Sequence, residues 1–204
     1  LYYATIMMPY AGHVGRHLER LQALDVHVIL PSHGPIHEDT AIVLDAYERW
    51  TSGSGKGARV LIAGLSMHGS TGALITALAE ALEARGGDVQ VVDLTAADVG
   101  AAAVALLDAR GLVLAAPNVL NSAHPTALHA LTLAELVKPK LAFTAFMGSY
   151  GWSAKPLMKT AERLEKLAKK SFEPILTKGR PTAEDLARIE TLADGIIAAL
   201  TGAS

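Results

Sequence analysis

The chain has 204 residues, of which 50% are hydrophobic, enough for one well-buried domain and an additional segment. With 18 Lys and Arg against 20 Asp and Glu, its net charge is −2, so charge gives no case for a nucleic acid or an anionic membrane surface as a partner. Cysteine is absent, which excludes disulfide bonds, cysteine-ligated iron–sulfur clusters and thiolate zinc sites.

The amino-terminal residues, from Leu1 onward, have neither the basic flank nor the apolar run of a signal peptide. The Ala-rich segment after Gly100 is interrupted by Asp108 and Arg110, so it does not predict a membrane span. The first residue is not Met, and the sequence opens inside what looks like an ordered element. We therefore expect a cytoplasmic protein, and we expect this chain to be part of a longer one.

A short α/β segment, residues 1–50, precedes a Gly/Ser-rich run at 51–57 that has the composition of a flexible linker. Apolar spacing predicts helices over 10–24 and 39–50, and an apolar run predicts a strand over 26–30. These elements are too few to bury a core alone. They either belong to a missing domain or pack against the rest of the chain.

In the second domain, residues 58–204, strands and helices alternate regularly. The predicted strands are 59–64, 88–94, 111–116, 140–146 and 172–177. The predicted helices are 71–85, 96–110, 125–137, 154–170 and 182–200. Continuous apolar strands that alternate with amphipathic helices indicate a parallel sheet covered on both faces. We predict an α/β fold: a flavodoxin-like, doubly wound, five-stranded parallel sheet.

The loop after the first strand has the chemistry of a phosphate site. Its residues are Ser66, Met67, His68, Gly69, Ser70 and Thr71. Hydroxyl groups, a glycine that can turn backbone N–H groups inward and the positive end of a helix dipole together favour a phosphate. The loop contains no Lys or Arg, which favours a terminal monophosphate over a metal-bound triphosphate. The alternative is a Ser or Thr that caps an ordinary helix.

The loops after the third and fourth strands predict contacts with a flat ring. The second loop contains Pro117, Asn118, Val119, Leu120 and Asn121, and the third contains Ser149, Tyr150, Gly151 and Trp152. The second can present amide and backbone groups, and the aromatic pair of the third can stack on a planar ligand. The alternatives are an ordinary turn and a Trp that caps the sheet edge. Because parallel strands end at one edge of the sheet, the three loops are expected to converge.

These motifs resemble the flavodiiron proteins, also called A-type flavoproteins. In that family a metallo-β-lactamase-like diiron domain precedes a flavodoxin domain that carries FMN. The resemblance covers essentially the whole chain: 2–9 is similar to a segment near the end of the diiron domain, 31–36 to its final metal-ligand motif, and 66–71 and 148–153 to the first and third FMN loops. It implies FMN bound by the loop residues named above, and His33 as an iron ligand.

Two departures from the family pattern matter. The family's other iron ligands lie upstream, in a His-x-Glu-x-Asp-His motif and further His and Asp residues, and His33 alone cannot hold a diiron centre. The diiron centre is therefore expected only when the missing amino-terminal domain is supplied, and no catalytic residue is assigned to this chain. Asn118 stands where the family usually has Thr, so an amide replaces a hydroxyl in a turn that is retained.

The resemblance implies the electron-transfer part of an oxidoreductase. FMN would take electrons from a rubredoxin-like protein, a flavin reductase or reduced F420, and pass them to a diiron site that reduces O2 to water or NO to N2O. It also implies a head-to-tail homodimer or a higher oligomer. A free-standing flavodoxin-like carrier with a vestigial amino-terminal arm, and a structural subunit without flavin, are the open alternatives.

Overall fold

The computed structural model describes residues 1–52 and 58–202. After a π-helical turn at Tyr3–Met7 and a 3-10 turn at Met8–Tyr10, the helices are α1 (Ala11–Leu21), α2 (Thr40–Ser52), α3 (Ser70–Glu83), α4 (Val99–Asp108), α5 (Pro125–Val137), α6 (Lys155–Leu164) and α7 (Ala183–Thr201). The strands are β1 (Val60–Gly64), β2 (Val89–Asp93), β3 (Gly111–Val119), β4 (Ser122–Ala123), β5 (Leu141–Tyr150), β6 (Ala168–Ser171) and β7 (Ile175–Lys178).

The main sheet has the strand order β2-β1-β3-β5-β6, with every neighbouring pair parallel. The fifth position is divided: β6 pairs with the beginning of β5, and β7 pairs with its end. Five positions in the order 2-1-3-4-5 are the flavodoxin-like arrangement, which confirms the predicted fold class.

Helices cover both faces of this sheet. Successive side chains of a strand point to opposite faces, so Val60 and Ile62 pack with α3 and α7, while Leu61 and Ala63 pack with α4, α5 and α6. All five residues of β1 are buried, as expected for the inner strand of a parallel sheet.

The amino-terminal helices pack against the face that carries α4 and α5. Tyr3 is 3% exposed and lies against the rings of Tyr47 and Trp50, at centroid distances of 5.1 and 4.9 Å. Met8, Ala11, Val14 and Leu18 follow at helical spacing and are buried as well. Residues of this segment therefore pack against the rest of the chain, and its membership in another domain stays a prediction.

Several predicted elements differ from those observed. The strand predicted over 172–177 is not continuous, and the fifth position of the sheet is formed by β6 and β7 on either side of Phe172. The strand predicted over 26–30 is reduced to one antiparallel bridge between Ile29 and His37. The helix predicted over 154–170 ends at Leu164, and β6 starts at Ala168, because this segment pairs with β5. The linker predicted over 51–57 begins with two residues that finish α2, and its residues 53–57 lie outside the described ones.

Among the helices of the described ranges 1–52 and 58–202, none is long and apolar enough to cross a membrane.

Candidate cofactor site

The three predicted loops lie at one edge of the sheet. They lie at the carboxyl ends of β1, β3 and β5, which are neighbours in the sheet and all end at the same edge, and the second and third include the last residues of β3 and β5. This is the edge at which doubly wound α/β proteins bind ligands, near the point where the strand order reverses. The expected convergence of the loops is therefore confirmed, whereas the binding of a cofactor there stays a prediction.

The first loop forms a turn that opens α3. Gly69 has φ of +87°, and an added Cβ would meet nothing within 4 Å, so the position needs glycine for its backbone rather than for space. The Gly69 N–H donates to Ser66 Oγ at 3.0 Å, which closes the turn. Met67, in the same turn, is 50% exposed, and the next residue, His68, is exposed as well.

The helix-cap alternative for this loop is wrong. The residue at the N-cap of α3 is Gly69, and no side chain makes the capping hydrogen bond. Ser70 and Thr71 lie inside the first helical turn. The N–H groups of a first turn have no intrahelical partner, so the start of α3 offers several donors and the positive end of the helix dipole to an anion.

Thr71 and Ser149 join the first loop to the third. Both residues are buried, at 0% and 8% exposure, and their hydroxyl oxygens lie 2.8 Å apart. The Thr71 hydroxyl therefore faces β5, while the half-buried Ser70 stands at the surface of the turn. The Thr71 bond fastens the loop to the sheet, and Ser70 is the more exposed of the two hydroxyl residues. That Ser70 and Thr71 contact a phosphate stays a prediction.

The second loop is a tight β-hairpin. Strand β3 continues past its predicted end at 116 to Val119, and β4 returns antiparallel, with Asn118 opposite Ala123. The two residues at the tip, Leu120 and Asn121, have φ of +52° and +58°. Two consecutive positive φ values are typical of a type I′ hairpin turn, which Asn tolerates and Leu does not. Leu120 is 88% exposed, so a strained backbone presents a bare apolar side chain at this edge.

The third loop carries the most exposed aromatic side chain of this edge. Strand β5 runs to Tyr150, beyond its predicted end at 146, and Gly151 follows. Trp152 is 99% exposed. Because the ring of Trp152 is almost completely accessible, it does not pack as a cap on the sheet edge formed by the described residues, and that alternative is wrong.

A side-chain bond also joins the second loop to the third. The Asn118 side-chain amide donates to the Ser153 carbonyl oxygen at 2.8 Å. Ser153 belongs to the 148–153 loop motif but was not predicted to contact Asn118, and the pairing of Thr71 with Ser149 was not predicted either. Both bonds link residues far apart in the chain, so only knowledge of the strand register could have predicted them.

The end of β2 adds a negative charge at the carboxyl edge. Asp93 Oδ1 accepts hydrogen bonds from the Thr95 N–H at 2.8 Å and the Thr95 hydroxyl at 2.7 Å. These two hydrogen bonds, of which the backbone bond has the larger effect, hold the pKa of Asp93 below its ordinary value. The carboxylate is therefore ionised at neutral pH.

His33 belongs to none of the three loops and lies in the segment between α1 and α2. It is exposed, and its ring stacks on that of Tyr2 with a centroid distance of 4.8 Å. Within residues 1–52 and 58–202, no three His, Asp or Glu side chains come together in a way that could hold a metal ion. The described residues do not by themselves make a diiron site.

The topology and the three loops define a flavodoxin-like domain. A solved flavodoxin from an archaeon is similar in fold, with a TM-score of 0.57 and 21% identity, over 70% of this chain and 99% of its own. That similarity leaves the remainder of this chain without a counterpart.

Longer proteins match nearly the whole chain. The nitric oxide reductase of Moorella thermoacetica is 33% identical in an alignment 205 residues long, and the alignment covers 97% of this chain and 50% of the relative. The rubredoxin oxygen:oxidoreductase of Desulfovibrio gigas has a TM-score of 0.89 at 26% identity, over 98% of this chain and 51% of its own. The flavodiiron protein of Giardia intestinalis shares the fold, with a TM-score of 0.84 and 21% identity, over 98% of this chain and 52% of its own. No family model matches the chain.

The chain is a homologue of the flavodiiron proteins, which confirms the resemblance seen in the sequence motifs. It spans about half the length of the curated relatives it matches, as expected for their carboxyl-terminal part.

Proposed function

We propose that this chain binds FMN at the three loops and is the electron-transfer part of a flavodiiron oxidoreductase. The observation that carries the proposal is the extent of the similarity. The relatives named as reductases match 97–98% of the chain, whereas the flavodoxin matches 70%. The amino-terminal segment and the sheet therefore occur together in proteins that do more than carry electrons.

The loop residues fit FMN. The start of α3 offers backbone N–H groups and Ser70, without Lys or Arg in the loop, which suits one phosphate monoester. Leu120 and Trp152 are large, exposed and apolar, and they lie on the two loops that flank this edge. A flat ring placed between them would bury apolar surface on both of its faces. When bound, the flavin supplies the one- and two-electron chemistry, and the chain supplies position and electrostatics.

The amino-terminal segment has the surface of a domain boundary. Residues 1–52 expose many large apolar side chains: Leu1, Tyr2, Ile6, Tyr10, Leu21, Leu24, Val28, Leu30, Ile36 and Ile42. Apolar surface of this extent is typical of a region covered by another part of the protein. It supports a division into 1–50 as the end of a metallo-β-lactamase-like domain and 58–204 as the FMN domain.

The whole enzyme would pass electrons from a reduced donor to a diiron site that reduces O2, NO or both. His33 would be one iron ligand there, with the others supplied by the remainder of the protein. The donor would be a rubredoxin-like protein, a flavin reductase or reduced F420. A head-to-tail dimer would bring the FMN of one subunit to the metal site of another.

The first test identifies the cofactor. Purified protein is denatured, and the released chromophore is identified by chromatography. We expect FMN, because the start of α3 provides one phosphate cradle and not two. FAD as the only flavin would contradict the monophosphate argument, and a protein that stays colourless with added FMN would favour the structural-subunit alternative.

A second test locates the ring. Titration with FMN should quench tryptophan fluorescence, and Trp152→Phe should remove most of the quenching while the aromatic face keeps most of the affinity. Trp50 in α2 is the internal control, since it packs with Tyr3 and Tyr47 in the amino-terminal segment. If Trp50→Phe removed the quenching instead, the flavin would lie near α2 and not at the three loops.

The free-standing carrier is the second candidate function. The complete flavodoxin-like topology favours it, since these elements suffice for a flavin site. It predicts normal electron transfer to artificial acceptors and no gain of O2 or NO reduction when an upstream domain is added.

A further inference from the structure

We infer that Asn118 is a positioning residue for the flavin ring, acting through Ser153 to hold the Trp152 loop in place. The inference rests on the proposed FMN site and adds to it a residue whose side chain acts by a bond within the protein. Its basis is the bond from Asn118 Nδ2 to the Ser153 carbonyl oxygen, 2.8 Å long and half-buried.

The Trp152 ring makes little contact with the protein that could orient it. The side chain is 99% exposed, and a Cβ added to the preceding Gly151 would meet nothing within 4 Å. The position of the indole is therefore set by the backbone on either side. The Tyr150 carbonyl, before the Trp, accepts from the Gly179 N–H at 2.9 Å, and the Ser153 carbonyl, after it, accepts from Asn118. Asn118 fixes the second of these two attachment points.

The same bond fixes the relation between the two ring-facing loops. Asn118 belongs to the hairpin that ends in Leu120, two residues further on, and Ser153 directly follows Trp152. The last backbone pair between β3 and β5 is Pro117 with Ser149, and beyond it the amide bond is a side-chain link between the hairpin and the Trp loop. Without this bond, the segments beyond that pair would be less firmly joined at the flavin edge. The Thr71–Ser149 bond lies beneath the phosphate loop and joins different residues, so it cannot replace this contact.

A residue that positions the flavin ring has a specific effect on binding. Loss of the Asn118 donor should weaken the binding of FMN and of riboflavin by the same factor, because both carry the ring and only FMN carries the phosphate. A single hydrogen bond to a neutral acceptor corresponds to about a five- to tenfold loss of affinity. The quenching of Trp152 should fall as well, and the two one-electron midpoint potentials of bound FMN should move toward those of free FMN.

The test compares Asn118→Asp and Asn118→Ala with a matched variant, Gln22→Glu. Asn118→Asp keeps the side-chain shape and replaces the donor by a carboxylate oxygen that repels the Ser153 carbonyl. Gln22→Glu makes the same change from amide to carboxylate at an exposed residue just after α1, outside the three loops. Both Asn118 variants should lose affinity for the two flavins equally and lose quenching, and Gln22→Glu should retain both. Far-UV circular dichroism and thermal unfolding of the flavin-free proteins verify folding, and Asn118→Gln, which keeps a donor, should recover part of the loss.

Wild-type affinity and quenching in Asn118→Ala would overturn the inference. A loss confined to FMN would also overturn it, because Asn118 would then act at the phosphate. Failure of the wild-type protein to bind either flavin would instead refute the proposed function itself, so the two failures are distinguishable.

Discussion

Ser70 and Thr71 are adjacent hydroxyl residues at the start of α3 with different surroundings. Ser70 is half-buried at the turn, whereas Thr71 is fully buried with its hydroxyl 2.8 Å from that of Ser149. The sequence alone assigns both to the phosphate. In the structure the Thr71 hydroxyl bonds to β5 and Ser70 is the more exposed, and the contact of either residue with a phosphate stays a prediction.

Ser70→Ala should therefore weaken FMN binding by about tenfold or more. A hydrogen bond to a charged group contributes about 1.5–3 kcal/mol, and removal of the Ser70 hydroxyl takes one such bond from the phosphate. Riboflavin, which lacks the phosphate, should bind almost as before. The two affinities are measured by fluorescence titration, and equal losses for both flavins would show that the loop does not hold the phosphate.

Thr71→Val is the matched change at the next residue, and its effect should be on stability. It leaves the buried Ser149 hydroxyl without its partner, which costs about 1–3 kcal/mol. Adding Ser149→Ala removes the second hydroxyl and should restore part of the loss, as a double-mutant cycle in urea can measure. Strictly additive losses would mean that the two hydroxyl groups do not interact.

Leu120 shows strain at the hairpin tip. A non-glycine residue with positive φ costs on the order of 1 kcal/mol, and Asn adopts this conformation more readily than Leu. Leu120→Asn should raise the stability of the flavin-free protein by about 0.5–1 kcal/mol and weaken FMN binding, because apolar surface against the ring is lost.

The control is Leu136→Asn, on the exposed surface of α5. Leu136 is 66% exposed in a helix, where Asn is less favourable than Leu, so this variant should lose a few tenths of a kcal/mol and bind FMN normally. Denaturant unfolding and flavin titration give both quantities. If Leu120→Asn destabilised the protein as well, the tip would not be strained.

At the scale of elements, hydrophobic patterning predicts the sheet well. Strands β1, β2, β3 and β5 each begin within one residue of a predicted start. Continuous apolar runs bounded by charged residues or Gly are typical of the buried strands of a parallel sheet, so the sequence locates these starts well. The ends of β3 and β5 were missed. Both strands continue into the predicted loops through Pro117 and Ser149, which are paired with each other, and polar or turn-forming residues give no sign of such pairing.

The helix predicted over 154–170 shows where helix propensity gives the wrong secondary structure, namely at residues 168–170. Lys166, Leu167 and Lys169 are good helix formers, yet β6 begins at Ala168 because its backbone pairs with Leu141, Phe143 and Thr144 of β5. Propensity differences of a few tenths of a kcal/mol per residue cannot outweigh the completion of a sheet edge. The candidate site is affected in the same way: its hydroxyl and aromatic residues are visible in the sequence, and the bonds that join its loops are not.

The start of α7 carries a carboxylate that stabilises the helix in its ionised form. Burial of Asp185 would raise its pKa, but bonds from the Thr182 N–H and hydroxyl, both at 2.9 Å, and from the Thr177 hydroxyl at 3.0 Å, with the charge of Arg188, hold its pKa below the ordinary value. A lowered pKa in the folded state means that the contribution to stability is present above the unfolded pKa, about 3.9, and is lost as the pH falls through the folded value.

Asp185→Ala should therefore cost about 1 kcal/mol at pH 7, the usual effect of losing a helix cap. The difference from the wild type should shrink as the pH is lowered below about 4. Urea unfolding at several pH values measures it. Glu184→Ala, at the exposed neighbouring position in the same helical turn, should have a small effect at every pH. A difference between wild type and Asp185→Ala that did not change with pH would show that the carboxylate charge is irrelevant.

At the scale of the whole molecule, the amino-terminal segment has two different sides. Its buried side, with Tyr3 and Met8, packs on α4 and α5 of the flavodoxin-like domain. Its other side exposes Leu24, Leu30 and Ile36 around the turn that carries His33. The proposed role of this segment, to join the flavodoxin-like domain to a second domain with the remaining iron ligands, is consistent with an apolar outer side and stays a prediction.

The last prediction concerns iron. A diiron site needs several His and carboxylate ligands with ordered partners, and no such group occurs among residues 1–52 and 58–202. This chain alone should bind FMN and pass electrons to artificial acceptors, without stoichiometric iron and without O2 or NO reduction beyond the slow reaction of reduced free flavin. Addition of the upstream domain, on the same polypeptide or as a second chain, should restore iron and turnover together.

In the protein with both domains, His33→Ala should abolish iron loading and leave the FMN content unchanged, because the loops that hold the flavin lie at another place in the fold. His17→Ala, at an exposed position of α1, is the control and should keep both iron and turnover. Iron is measured by elemental analysis, FMN by absorbance after release, and turnover by consumption of O2 or NO. Stoichiometric iron in the isolated chain, or a His33→Ala variant that keeps its iron and its turnover, would show that His33 is not an iron ligand.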